Sequence, residues 1–374
     1  MKDKTIDPEK FQYHSSVAEG LHDFLEREIT SHSLKIISKN RGGVFFTGKK
    51  ENLKNFFLST RFSSKISFEI AKFQLTHPDE LYDKTILIPW ENFLSNRTTF
   101  KIESNTKDNL SHSRFAMYRL KDSILDRFRK KIGEEPQIEK FKPDILIILR
   151  SHQNYASISL SITPTSITNR GYRTSGGVAP LRENIAQAVL EFSGWENEEV
   201  IIDPMCGSGT ILIEAALLLK NSHINIKSMN SSTLFNRLFG KAEMRNSPKP
   251  NSVLLFGYDK NIHAINSAIE NAKNAGVEDW IRFENKDFSE VQNNFDQGYI
   301  ITNPPYGERL EDKDSAKILY GNLSKFIKQN FKNFIFTIIT GDKSLLGYLK
   351  LKQKSSLNLT IANWKAKIVN YEIN

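Results

Sequence analysis

One cysteine, Cys206, is all that 374 residues contain. A lone thiol excludes an internal disulfide framework and any zinc site built from cysteines, and it fits a reducing compartment. Long apolar runs are missing too: none reaches the roughly 18 residues needed to cross a bilayer, and the opening "MKDKTIDPEK" lacks the apolar core of a secretory signal. A cytoplasmic protein with no membrane partner is therefore expected. The eight histidines show no paired spacing suited to a metal, so none is expected.

With 39% hydrophobic and 25% charged residues, the composition is that of a globular protein, and its length suggests two or three domains. The net charge of +9 is unevenly spread. Residues 1–170 carry 28 Lys and Arg against 21 Asp and Glu, whereas residues 171–374 carry 24 against 22. Such asymmetry points to a polyanion held mainly by the front half.

The clearest punctuation is "TPTSITNRGYRTSGGVAP" (163–180), rich in Gly, Pro, Ser and Thr and read as an interdomain linker over 164–180. Ahead of it, strand-like runs at 42–48, 65–73, 144–150 and 155–162 mix with helical stretches near 16–29, 51–60 and 113–131. This mixture predicts α+β structure in two small lobes, 1–70 and 71–163. Behind the linker, over 181–374, strands at 199–203, 253–259, 281–285, 298–303 and 334–340 alternate with helices at 181–193, 210–220, 261–275 and 315–330. Regular alternation predicts an α/β domain with a parallel sheet covered on both faces, binding its ligand at the carboxyl ends of the strands. Residues 221–250 are too long for a plain connection and are read as a basic surface insertion.

The strand ends carry the chemistry. "DPMCGSGT" (203–210) follows the first rear strand, with Gly207 and Gly209 allowing a tight turn and Thr210 able to open a helix. A dinucleotide fingerprint would place a small residue at Leu212, and Asp203 at the loop mouth would repel a pyrophosphate. A carboxylate there suits a cationic ligand instead. Asp259 is placed to accept hydrogen bonds from ribose hydroxyls and Asp287 one from an adenine amine, although an acid at a strand end also commonly caps the next helix. Together they describe a pocket for S-adenosylmethionine. At the fourth strand end stands "TNPPYG" (302–307). The Asn303 side-chain oxygen and the Pro304 carbonyl can each accept one N–H of an exocyclic amine and so turn its lone pair toward a methyl donor. Pro304 and Pro305 stiffen that backbone, and Tyr306 can stack on the face of a base. Cys206 reads as a small residue in a tight loop, not as a nucleophile.

"IDPMCGSGTILIEAA" (202–216) and "TNPPYGERL" (302–310), together with "RGYRTSGGVAPLRENIAQAVL" (170–190), "SHSRFAMYRLKDSILDRF" (111–128) and "RGGVFFTG" (41–48), resemble the bacterial THUMP-domain methyltransferases that act on a guanine N2 amine of 23S ribosomal RNA. The resemblance covers nearly the whole chain. It implies a ferredoxin-like lobe and a THUMP lobe that bind RNA, ahead of a Rossmann-like class I methyltransferase domain. It also implies a partner in 23S rRNA or a large-subunit assembly intermediate. Asp203, Pro204, Cys206, Gly207, Ser208, Gly209, Thr210, Asp259 and Asp287 would then line the cofactor pocket, and Asn303 to Tyr306 the target base. Some members carry a second, fused methyltransferase, and a chain stopping at Asn374 implies the stand-alone form.

Arg114, Arg119, Lys121, Arg127, Arg129, Lys130 and Lys131 form a basic cluster suited to phosphate, interleaved with Asp122 and Asp126 that could pair with it. Arg170 and Arg173 either guide RNA or bind carboxylates. Guanine-N2 methylation of tRNA, adenine-N6 methylation of DNA, glutamine methylation of a release factor and a non-catalytic RNA-binding role stay open as alternatives. The Asn-Pro-Pro-Tyr device alone does not choose among the first three.

Overall fold

The computed structural model describes residues 6–106, 113–173, 181–196, 199–243, 252–306, 313–361 and 364–373. Residues 174–180 of the expected linker, 244–250 of the expected insertion and the "GERL" stretch at 307–310 lie outside them. The chain forms two compact units, one of residues 1–17, 25–167 and 225–244, the other of 18–24, 168–224 and 245–374.

The front unit is built on one eight-stranded sheet. Its strands are β1 (Tyr13–Ser16), β2 (Lys35–Asn40), β3 (Gly43–Thr47), β4 (Lys65–Gln74), β5 (Thr99–Asn105), β6 (Gln137–Ile138), β7 (Ile145–His152) and β8 (Tyr155–Ser161), in the order β2-β3-β1-β4-β8-β7-β5-β6. The helices of this part are α1 (His22–Ser31), α2 (Lys50–Ser59), α3 (Glu80–Thr85) and α4 (Ser113–Lys131). β4 pairs with β1 on one side and β8 on the other. Residue 70, where the sequence places the division between lobes, lies inside this shared strand. β7 reads "ILIILRSH", and its first five residues are all buried, as expected of a central strand covered on both faces.

The helices of the second half are α5 (Glu183–Ser193), α6 (Thr210–Leu219), α7 (Ile226–Ser231), α8 (Thr233–Phe239), α9 (Ile262–Ala275) and α10 (Lys313–Asn330), of which α7 and α8 belong to the front unit. The sheet here is β9 (Ile201–Asp203), β10 (Leu255–Asp259), β11 (Ile281–Asn285), β12 (Gly298–Thr302), β13 (Phe334–Thr340), β14 (Gln353–Ile361) and β15 (Trp364–Glu372), ordered β11-β10-β9-β12-β13-β15-β14. The five strands anticipated from sequence are parallel. The all-parallel expectation is corrected at the far edge, where β15 runs antiparallel to both β13 and β14. That hairpin was illegible because "QKSSLNLTI" alternates polar with apolar residues at low hydropathy, as a half-exposed strand does.

The expected insertion has a defined place. Asn225, 2% exposed, donates from Nδ2 to the carbonyls of Phe57 (3.1 Å) and Thr60 (2.8 Å), and from its backbone N–H to that of Leu58 (3.0 Å). A helix leaves its last carbonyls without intrahelical partners, and Asn225 satisfies those of α2. Phe239 then meets Phe57 edge-on at 5.4 Å, and Ser232 Oγ donates to the Ile162 carbonyl. Residues 225–243 are thus part of the front unit's core, not the surface excursion expected.

Candidate active site

The rear sheet reverses its direction of growth at β9: β10 and β11 lie to one side, β12 and β13 to the other. Ligands of open α/β sheets bind at such a reversal, beyond the carboxyl ends of the strands. Register fixes what stands there. Asp203 pairs with Gly257, and Ile202 with Ile300, so Asp259 and Asn303 each lie two residues beyond Asp203's level, on opposite flanks of β9. At the rise of a strand, two residues are about 7 Å.

Beyond Asp203 the chain turns through Gly207 (φ +54°) and Gly209 (φ +79°) into α6. Both angles lie in the left-handed region that glycine enters without steric cost. At Gly209 space adds a second demand, since a methyl there would stand 2.8 Å from Phe283 Cζ. None of the described residues lies within 4 Å of where a Gly207 methyl would be, so the loop backbone is bare of them on that side. Hydrogen bonds pin the loop: Cys206 N–H donates to the Tyr258 carbonyl (2.9 Å), Gly207 N–H to Asp259 Oδ2 (2.9 Å), and Asn271 Nδ2 to the Ser208 carbonyl (3.1 Å). Asn271 was missed by sequence reasoning. A buried asparagine beside Ala268 and Ala272 on the apolar face of α9 was the available signal.

Asp203 is 2% exposed, and its Oδ1 accepts from the Met205 N–H at 3.2 Å. Burial pushes its carboxyl up to about 7; the Thr302 hydroxyl and the Met205 amide oppose the rise and the charge of Asp259 adds to it. Two carboxyls facing one loop, one of them buried, form a site that gains by taking up a cation. Burial, with the same two acids, also raises the Cys206 thiol well above its usual range, so it stays protonated and inert. Among the described residues no group of three or more His, Cys, Asp or Glu could hold a metal.

Asp259 accepts from Asn261 N–H at Oδ1 (2.9 Å) and from Gly207 N–H at Oδ2 (2.9 Å). Each oxygen keeps a further lone pair. Asp287 caps a short 3-10 helix: its Oδ1 accepts from Ser289 N–H (3.0 Å) and Oγ (2.6 Å), and Glu290 returns to the Asp287 N–H at 3.3 Å. The capping role is therefore filled, with Oδ1 committed to it.

Asn303 follows β12 directly. Its Oδ1 is buried and accepts no hydrogen bond from the described residues, a costly state for an amide oxygen. Pro304 beside it is buried; Pro305 and Tyr306 are half-buried. The Tyr306 ring rests on Gly341 at the end of β13, where an added methyl would stand 2.6 Å from Tyr306 Cε2 and 2.8 Å from Trp364 Nε1. Nothing in the sequence linked Gly341 or Trp364 to this ring, because they join it only through the sheet.

The arginines divide sharply. The Arg170 side chain is 2% exposed and lies 3.7 Å from Glu214 on α6, which also accepts from Tyr172 Oη at 3.3 Å. Arg173 pairs with Glu183 at 3.4 Å and donates to Thr210 Oγ1 at 3.2 Å. Of the two roles open to them, carboxylate binding is the one realised, inside the rear unit. Arg127 is likewise engaged, with Glu91 gripping it twice at 2.7 Å and the Ile86 carbonyl accepting at 2.9 Å. Arg119 lies over the Tyr82 ring at 4.9 Å, Lys121 pairs with Asp122 at 3.1 Å, and Arg129 pairs with Asp126 and Glu135. The exposed cations of α4 are Arg114, Arg129, Lys130 and Lys131, at the two ends of the helix.

Residues 170–368 match the family model described as RMKL-like, methyltransferase domain, and residues 76–161 match that of the THUMP domain. The chain is 30% identical over 97% of its length to the ribosomal RNA large subunit methyltransferase K/L of Syntrophotalea carbinolica, and 31% identical over 93% to that of Shewanella frigidimarina. It covers 53% and 51% of those proteins, about half the length of each. Among solved structures, a possible methylase from Clostridium difficile 630 superposes with a TM-score of 0.82 at 27% identity, covering 97% of this chain and 98% of that one.

Proposed function

Because the chain belongs to the RMKL-like methyltransferase-domain family, whose methyl donor is S-adenosylmethionine, we propose that it methylates the exocyclic N2 amine of a guanine in 23S ribosomal RNA. The observation that carries the reading is the buried Asn303 Oδ1, unpartnered among the described residues and standing level with Asp259 across the switch-point strand. Names of the relatives that span the chain support a large-subunit RNA substrate.

The residues present fit the cofactor. Asp203 and Asp259 offer negative charge where a sulfonium and an ammonium need it, the Gly207 backbone leaves room for close approach, and Asp287 stands further out on the same rim. S-adenosylmethionine, when bound, supplies a methyl carbon on positively charged sulfur, the electrophile for an amine. Asn303 Oδ1 and the Pro304 carbonyl accept the two N–H groups of that amine, which aims its lone pair. The prolines hold both acceptors still, and Tyr306 offers the base a face to stack on. No strong base is required, because a methylated, still protonated amine gives up its proton readily to water.

Incubation with labelled S-adenosylmethionine and unmodified 23S transcript, tRNA or DNA tests this. Label in N2-methylguanosine of the transcript is expected; label in DNA adenine, in tRNA alone, or in none of them overturns the reading. Gly341→Ala supplies an internal check on Tyr306. The new methyl must displace the ring, so turnover is expected to fall about 10²-fold, the effect of misplacing a reacting group by an ångström, while cofactor affinity holds. Unchanged turnover would remove Tyr306 from the site.

A further inference from the structure

On the front unit, a groove of about 640 Å³ opens over the sheet between β4 and β5. The strand register puts four of its side chains in one row across adjacent strands. Asn105 on β5 pairs with Arg150 on β7, Arg150 with Ser157 on β8, and Ser157 with Lys72 on β4. Paired residues share a face, and residues two apart return to it, so His152 and Tyr155 join the row's face one step along.

Arg150 is the unusual member. It is half-buried, and loss of solvent is what lowers its pKa, yet no carboxylate or carbonyl among the described residues pairs with its guanidinium. Its neighbour His14 offers no anion: burial and the charge of Arg150 hold that imidazole down to about 4, and therefore neutral. The acids closest in register are already answered. Glu103 pairs with Lys65 (2.9 Å) and Lys101 (3.4 Å), and burial pushes Glu69 toward its neutral form against the pull of Lys72. A desolvated guanidinium without a counterion is expensive, and an incoming phosphate removes the cost. Beside it, Tyr155 is 51% exposed, with the Lys72 ammonium 5.9 Å from its ring centroid. An exposed aromatic next to paired cations is the arrangement by which proteins hold an unstacked nucleotide.

We propose that this groove binds a single-stranded RNA segment, with a phosphate on Arg150 and Lys72 and a base stacked on Tyr155. The proposal rests on the reading that the substrate is RNA, and it assigns to the front unit a grip on unpaired nucleotides. Asn105 and His152 are placed to meet the edge of the stacked base.

Fluorescence anisotropy of the full chain with a labelled ten-nucleotide single strand of RNA, and with the same sequence as a duplex, decides it. Arg150→Gln and Tyr155→Ala are each expected to raise Kd for the single strand about tenfold, and Arg150→Gln to lower the salt slope by about one. Tyr155→Ala should leave duplex binding unchanged, and both variants should keep wild-type affinity for S-adenosylmethionine. Tyr155 is exposed, so its truncation leaves the fold intact. Wild-type single-strand affinity in both variants would overturn the groove assignment while leaving the methyltransferase reading standing. Absence of RNA binding by the unaltered protein would overturn both. Equal weakening of duplex and single strand by Tyr155→Ala would overturn the stacked base.

Discussion

Asn303→Ala is expected to lower turnover about 10²- to 10³-fold while leaving the dissociation constant for S-adenosylmethionine within a few-fold. The size follows from removing one preorganised hydrogen-bonding group aimed at the reacting atoms. The selectivity follows from placement. Asn303 stands just beyond β12, on the flank of β9 opposite Asp259 and the pinned end of the glycine loop. Its Oδ1 is buried and without a hydrogen-bond partner among the described residues, so alanine removes an unsatisfied acceptor there. Stability should therefore hold or rise slightly. Asn303→Asp gives a finer test, since it keeps both acceptor positions but adds a charge, and should retain part of the activity. Cofactor affinity, stability and turnover are separable by calorimetry, thermal unfolding and single-turnover kinetics. Loss of cofactor binding together with turnover would move Asn303 out of the role of positioning the amine.

Asp203→Asn is the second large effect. Losing a charge-assisted contact to a cationic ligand costs about 1.5–3 kcal/mol, or roughly 10- to 100-fold in affinity. Its pH dependence is the distinctive part. The wild-type carboxyl sits at about 7, so below that pH a cation must displace a proton in order to bind, and above it the carboxylate is ready. The penalty of the variant should therefore grow as pH rises through about 7 and shrink below it. Stability of the ligand-free protein carries the opposite signature. A carboxyl raised from its unfolded value near 3.9 to about 7 binds a proton in the folded state that the unfolded chain has released. Wild-type stability consequently falls between about pH 4 and 7 from this group and is flat above. The asparagine variant should lose that slope and gain stability relative to wild type at pH 8. A ratio of variant to wild-type dissociation constants that stays level from pH 6 to 8 would show that Asp203 does not carry the charge that meets the ligand.

How much of this was readable beforehand depended on whether the information is local. Strand ends followed by glycine, proline or acid are local patterns, so β9 to β13 and the helices between them were legible, and with them the placement of Asp203, Asp259, Asp287 and Asn303 at or just beyond strand ends. Charge was read less well. A count of basic residues along α4 cannot distinguish Arg127, clamped by Glu91 from 36 residues away, from the exposed Lys130. Arg170 and Arg173 look identical to RNA-binding arginines until Glu214 and Glu183 come within reach.

The amino-acid sequence by itself determined the α/β plan of the rear unit, the glycine turn and the amide-proline tip, because backbone stereochemistry and the alternation of apolar segments act over a few residues. Only tertiary structure decided the rest: that residues 225–243 complete the front unit's core by capping α2, that the Tyr306 ring lies on Gly341 beside Trp364, and that Asn105, Arg150, Ser157 and Lys72 align in one row. Each depends on register or packing between segments tens to more than a hundred residues apart. Such contacts form where burial and hydrogen bonding outweigh the entropy of closing the loop between them, and no short pattern encodes that balance.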